Sequence, residues 1–257
     1  MTKDCSKASA SPCPMRMWFA PVSLATVLFA SACSAPAQPS GGSAVTAPTA
    51  APAAAAQASP AVVVSAQASP GAAVKKWSFD QDQAGAAPTG AQVFSGTWAV
   101  RAEADAPSQP NALCQTGKAD FPALMLDASP ARDVILKTRF KAISGSEDRA
   151  AGLIVRIQDK GNYSILRANA LEDNVNLYLY VDGRRSGLKD GRAKVPAGQW
   201  QDLRLEVRGD SLRGFLNDQA VVEASDGTFK SAGGIGLWTK ADSQTCFDDV
   251  EVNVIAS

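Results

Sequence analysis

A chain of 257 residues with 25 Lys+Arg, 25 Asp+Glu and no histidine has no excess of positive charge to hold a polyanion, so nucleic acid is not expected as a partner. Without histidine it also lacks Ser-His-Asp and Cys-His triads, imidazole bases and every His-containing zinc site. Carboxylates are left as acid and base, which makes glycoside hydrolysis the hydrolytic class the composition accommodates most readily.

The first 32 residues read as a secretory signal: Lys3, Lys7 and Arg16, an apolar run from Trp18 to Phe29, then Ala30, Ser31 and Ala32 ahead of Cys33. The run is too short to remain as a membrane span. Ala30-Ser31-Ala32-Cys33 resembles the lipobox of bacterial lipoproteins, with Ala30 where that pattern usually has Leu. The resemblance implies that the Cys33 thiol is acylated, becomes residue one after cleavage and anchors the exported chain in a membrane. Under the usual sorting rule, Ser34 after it directs the protein to the outer membrane. An ordinary Ala-x-Ala cleavage, giving a soluble secreted chain, fits the same residues. The leader carries Lys3, Lys7 and Arg16 against Asp4, so its removal leaves 22 basic and 24 acidic residues, a net charge of −2.

Residues 33–74 form the second segment. From Met17 to Val74 no residue is charged, and Ala-Gln-Ala-Ser-Pro occurs at Ala56 to Pro60 and again at Ala66 to Pro70. Alanine favours helix, but Pro36, Pro39, Pro48, Pro52, Pro60 and Pro70 interrupt it, so a semi-extended disordered tether is expected.

Residues 75–257 carry the folded domain. Short runs of alternating apolar and polar residues, cut by Gly, Asp, Asn and Pro, are the period-2 signal of strands. Val134, Leu136, Thr138 and Phe140 alternate with Ile135, Lys137, Arg139 and Lys141; Leu153, Val155 and Ile157 alternate with Ile154, Arg156 and Gln158. Both read as strands with one core face. Tyr163 to Ala170 and Val175 to Val181 form a hairpin-like pair, and Asp182-Gly183 turns the chain again. Trp200, Leu203, Leu205 and Val207 lead to a turn at Gly209-Asp210, and Leu212 and Leu216 lie on the return strand before Asn217-Asp218. Further strands are expected at Ala220 to Ala224, Gly234 to Thr239 and Thr245 to Ile255. About a dozen short strands at this spacing predict an all-β, two-sheet antiparallel jelly-roll sandwich.

Two stretches, Gly161-Asn162-Tyr163-Ser164-Ile165-Leu166-Arg167-Ala168-Asn169-Ala170-Leu171-Glu172-Asp173-Asn174 and Gly236-Leu237-Trp238-Thr239-Lys240-Ala241-Asp242-Ser243 followed by Phe247-Asp248-Asp249-Val250, resemble a concanavalin A-like jelly-roll family. Its branches include the 3-keto-disaccharide hydrolase domain, family 16 glycoside hydrolase-like and laminin-G-like domains. The resemblance spans nearly all of Lys75 to Ile255. It implies two antiparallel sheets, one of them curved, with a concave face that receives carbohydrate in related proteins.

Three function classes follow: a glycan or cell-envelope polymer binder, a glycoside hydrolase, and an envelope scaffold with no small ligand. For binding, Arg156, Arg167, Asn169, Asn176, Tyr178 and Tyr180, with Trp238 as a rim platform, combine aromatic surfaces with planar polar groups that stack on and hydrogen-bond to sugars. Parity puts Asn176, Tyr178 and Tyr180 opposite the apolar Val175, Leu177 and Leu179. For hydrolysis, the Glu-x-Asp-x-Glu run of family 16 is missing; Asp249 and Glu251, at the same parity on the last strand, are the candidates. A structural Ca²⁺ ion is a further candidate, held by Asp80 or Asp82 with Asp248; capping of turns is the ordinary role of such residues. Export removes Cys5 and Cys13 with the leader and lipid consumes Cys33, which leaves Cys114 and Cys246 to pair in an oxidising compartment or to stay as buried thiols. Jelly rolls commonly pair an early strand with the last, which favours the bridge.

Overall fold

A computed structural model describes residues 74–255. The expected leader, acylated Cys33 and tether lie outside the described residues, except that Val74 already opens the first strand. Fifteen strands and no helix occur among the described residues: β1 (Val74–Trp77), β2 (Gln92–Ser95), β3 (Trp98–Ala102), β4 (Asn111–Gln115), β5 (Ala123–Ala131), β6 (Val134–Ser144), β7 (Ala150–Asp159), β8 (Asn162–Asn169), β9 (Asn174–Val181), β10 (Arg184–Lys189), β11 (Trp200–Arg208), β12 (Ser211–Leu216), β13 (Gln219–Ser225), β14 (Gly233–Trp238) and β15 (Gln244–Val254). They form two sheets with every pairing antiparallel. Sheet I runs β13-β12-β11-β6-β15-β4-β3 with β1 also on β15, and sheet II runs β10-β9-β8-β7-β14-β5-β2. The late strands β14 and β15 sit mid-sheet, so each sheet closes only once the end of the chain has returned.

The alternation in the sequence sets which face each strand buries. Val134, Leu136 and Phe140 of β6 meet Leu153 and Val155 of β7, Leu166 of β8 and Leu177 of β9 in one core between the sheets. Burying each such side chain stabilises the fold by about 1.5 to 3 kcal/mol. The sheets approach closely enough that a Cβ added at Gly214 would stand 2.3 Å from Leu166 Cδ1, so a glycine of sheet I makes room for a leucine of sheet II.

Strand β7 departs from the expected single core face, being buried on both sides along Ala150 to Ile157. Its pairing with β8 shifts between Val155 and Asp159, and Arg156 takes φ +52°. This bulge reverses parity, so Ile157 joins Ile154 on the outer side of sheet II while Leu153 and Val155 stay in the main core. Arg156 is thereby sent away from the expected ligand face. Only 2% exposed, it donates to the carbonyls of Arg132 (3.1 Å), Phe229 (3.0 Å) and Gly209 and lies 3.6 Å from Asp133. Those carbonyls belong to the β5–β6 turn, the β13–β14 loop and the β11–β12 turn, so Arg156 ties loops of both sheets together.

Cys114 and Cys246 form a disulfide across β4 and β15, where they face each other in register with Cα atoms 4.0 Å apart. Both are buried with Ala106 and Ala112, against Trp200, outside the main core.

Candidate functional site

Sheet II also buries its outer face. Ile154, Tyr163, Ile165, Tyr178 and Trp238 make a second cluster there, with Phe94, Phe121, Met125 and Tyr180 packed on it. Strand register orders this face: Tyr163 lies opposite Tyr180, Ile165 opposite Tyr178, Arg167 opposite Asn176 and Asn169 opposite Asn174. Five residues expected on this face, Arg167, Asn169, Asn176, Tyr178 and Tyr180, are therefore brought together by the period of two alone. All but Tyr180 are buried, so Tyr178 is a packed residue of this second cluster and not a sheet-surface side chain.

One end of the face is a polar network. Asp148 accepts from Asn169 Nδ2 at 2.6 Å and lies 3.6 Å from Arg167 and 3.5 Å from Lys240. Arg167 also meets Glu172 and donates to Asn174 Oδ1 at 2.9 Å. Asn169 Oδ1 accepts from the Leu171 N–H at 2.9 Å; Asn176 accepts from the Gly191 N–H at 3.0 Å and donates to the Tyr178 hydroxyl at 3.1 Å. Burial works to raise the Glu172 carboxyl, but the Asn174 amide and the Arg167 guanidinium outweigh it and hold the group below its ordinary value. Asp242 sets the loop that carries Asp148: its carboxylate accepts the N–H groups of Ser146 (2.8 Å), Glu147 (2.9 Å) and Asp148 (3.0 Å), which with the Ser146 hydroxyl keep it ionised well below the usual range.

The other end is aromatic. Tyr163 and Tyr180 stack with centroids 4.9 Å apart, Phe121 meets Tyr180 edge-on at 5.3 Å, and Phe121 stacks on Trp238 at 5.9 Å. The Tyr178 ring has the Arg185 guanidinium 4.4 Å from its centroid and that of Arg167 at 5.2 Å. A groove of about 430 Å³ beside these rings is lined by Phe94, Asp120, Phe121, Lys160, Tyr163 and Tyr180. Burial pushes the Tyr163 and Tyr180 phenols up, so both stay protonated donors at neutral pH.

Trp238 is not a rim platform. It is fully buried beneath Phe121 and Arg185 and sits in register with Gly152, where a Cβ would stand 3.1 Å from the indole ring. Conversely, Phe121, Arg185, Asp148 and Lys240 were not expected on this face. A readable signal existed for Arg185. The two-residue turn Asp182-Gly183, with φ of +50° and +75°, pairs Val181 with Arg184 and hence Tyr180 with Arg185. Phe121 and Asp148 come from loops, whose placement no periodicity encodes.

The remaining expectations fall elsewhere. Asp249 and Glu251 lie on sheet I, in a depression of about 490 Å³ shared with Trp77, Arg139 and Arg204. A bulge between Asp248 and Glu251 gives Asp249 φ +45°, yet Asp249 and Glu251 share one face as expected, with Val250 and Val252 turned to the core. Glu251 is paired with Lys76 (2.8 Å) and Lys137 (3.3 Å), and the hydrogen bond from Lys76 holds its carboxyl below the ordinary value. A general acid for glycoside cleavage needs the opposite shift. Asp248 is fully buried, and burial raises its carboxyl, but its oxygens already accept from the Ser108 N–H (2.8 Å), the Ser108 hydroxyl (2.9 Å) and the Asp249 N–H (2.7 Å). Asp80 accepts from the Asn111 N–H at 3.0 Å and Asp82 from the Thr89 N–H at 3.1 Å. These carboxylates hold the 108–111 segment and a turn, the capping role, and do not fit a calcium ligand set. Among the described residues the one cluster of three metal-ligating side chains, Glu103, Cys114 and Cys246, has both cysteines in the disulfide.

A two-sheet antiparallel sandwich with this strand arrangement is a concanavalin A-like jelly-roll domain. The chain belongs to the 3-keto-alpha-glucoside-1,2-lyase-like domain family, whose model matches residues 69–253. It is 23% identical over 164 residues to the levanase of Bacillus subtilis (strain 168), covering 63% of this chain and 22% of that protein, so it spans about a fifth of that relative's length. The solved structure of the carbohydrate-binding module CBM66 from Bacillus subtilis superposes with a TM-score of 0.53 at 22% identity, covering 63% of this chain and 95% of the module.

Proposed function

We propose that the domain binds a glycan on the outer face of sheet II, and that an acylated Cys33 holds it at a membrane on an extended tether. The observation that carries the binding reading is convergence. Buried Arg167, Asn169, Asn176 and Asp148 form one end of the face next to Tyr178, and an open groove runs along Tyr163, Tyr180 and Phe121 at the other. Planar donors next to aromatic faces match the alternating hydroxyls and C–H surface of a sugar ring. A carbohydrate-binding module with this fold, and a levanase with a stretch of similar sequence, support carbohydrate as the ligand class.

A glycan array probed with the whole chain should give binders, and Tyr180→Ala should weaken the best of them by about 5- to 150-fold, the effect of losing a stacking surface of about 1 to 3 kcal/mol. Undiminished binding by a folded Tyr180→Ala variant would move the site off this face. Incubation with 3-keto-α-glucosides, the substrates named in the family's description, separates binding from turnover. Hydrolysis with Glu251 as general acid is not expected, because Lys76 and Lys137 hold its carboxylate ionised; product release from the 3-keto-α-glucoside would assign turnover to other groups. For the anchor, a fatty-acid analogue fed to the cells should label the wild-type chain and not a Cys33→Ser variant; equal label on both would refute acylation at Cys33.

A further inference from the structure

The aromatic end of the face carries a positive charge that the domain does not match. Arg167 meets Asp148 and Glu172, and Lys240 meets Asp148, so those cations share two carboxylates. The Arg185 side chain makes no ion pair or hydrogen bond among the described residues, and its Nη1 atom is shut off from solvent with no partner. In their place its guanidinium has the Tyr178, Phe121 and Trp238 rings at 4.4, 5.3 and 5.9 Å. Aromatic faces attract the charge but leave the N–H donors of the planar fork unspent. The charges along the adjoining groove, Lys160 and Asp120, offset each other. Space is present as well. Gly187 lies two residues on, on the same face and opposite Tyr178, and a Cβ there would meet nothing within 4 Å.

We propose that this face selects acidic glycans, with Arg185 pairing through its fork to a carboxylate or sulfate carried by the sugar while the ring rests on Tyr178 and Tyr180. A half-buried guanidinium with free donors favours a planar or tetrahedral oxyanion over a hydroxyl, because both partners are charged and two parallel hydrogen bonds form. The proposal rests on the glycan-binding reading and adds the charge of the sugar to it.

The test titrates the whole chain calorimetrically with an oligogalacturonide, with the same oligosaccharide fully methyl-esterified, and with a sulfated oligosaccharide of equal length. At least one acidic form should bind about tenfold or more tighter than the ester, with affinity falling as salt rises. Whichever acid binds identifies the anion as carboxylate or sulfate. Arg185→Gln should abolish the preference for the acidic form over the ester, since it removes the charge-assisted pair. A wild type that binds neither the oligogalacturonide nor the sulfated oligosaccharide more tightly than the ester overturns the proposal even if the variant does not fold, and so does a folded Arg185→Gln chain that keeps the preference. If neutral glycans on the array bind and acidic ones do not, acid selection falls and glycan binding stands. If no glycan binds, both fall.

Discussion

Replacing Arg156 by Leu is expected to cost the domain about 3 to 5 kcal/mol in urea unfolding, the penalty typical of breaking a buried, hydrogen-bonded charge network from one side. The change strands the carbonyls of Arg132, Gly209 and Phe229 around an apolar side chain too small to fill the space. It also removes a cation beside Asp133, which retains the Gly209 N–H at 2.9 Å and so keeps part of its support. Three inter-strand connections would loosen together, because the guanidinium spans them. Arg156→Lys, which keeps the charge but not the fork, should recover only part of the loss. A loss below about 1 kcal/mol for the Leu variant would show that water replaces the guanidinium at no net cost. Glycan binding by the folded fraction should be unchanged, since Arg156 lies away from the outer face of sheet II.

Removing the disulfide, as Cys114→Ala with Cys246→Ala, is expected to cost about 4 to 5 kcal/mol. The bridge closes a loop with a sequence separation of 132 residues, and the chain-entropy relation assigns a loop of that length a stabilisation of about 5 kcal/mol through the unfolded state. The native contacts change little, because β4 and β15 remain paired at Thr245–Gln115 and Phe247–Leu113 on either side. The mark of this mechanism is an unfolding slope that steepens in the double variant, whose unfolded chain is free to expand. An unchanged denaturation midpoint would show that the bridge adds nothing to strands already held by the sheet.

The hairpin of β8 and β9 shows why part of the site was legible. Arg167 and Asn169 on one strand, and Asn176, Tyr178 and Tyr180 on the next, share a face because side-chain direction alternates along any extended strand, whatever packs on it later. Arg156 failed by the same rule. One residue in the left-handed region inserted a bulge, and every side chain beyond it changed sides. A second bulge at Asp249 of β15 leaves Asp249 and Glu251 on one face. Arginine has no preference for positive φ, so nothing marked the break at Arg156, whereas aspartate is enriched in that region.

By itself the sequence determined the all-β class, the turns at Asp182-Gly183 and Gly209-Asp210 and the polar and aromatic composition of one sheet face. Those properties depend on a residue and its near neighbours, through period and turn chemistry; between a bridge and two buried thiols at Cys114 and Cys246, the register of β4 on β15 decided. Only the tertiary structure decided that Trp238 is covered and not exposed, that Asp148 stands between Arg167 and Lys240, and that Arg185 lies over three rings without a carboxylate. Trp238 is covered and Asp148 is placed by loops that land on a sheet: Phe121 on Trp238, and Asp242 beneath the Ser146–Asp148 N–H groups. These two contacts join residues about 90 or more positions apart, and no local period encodes them.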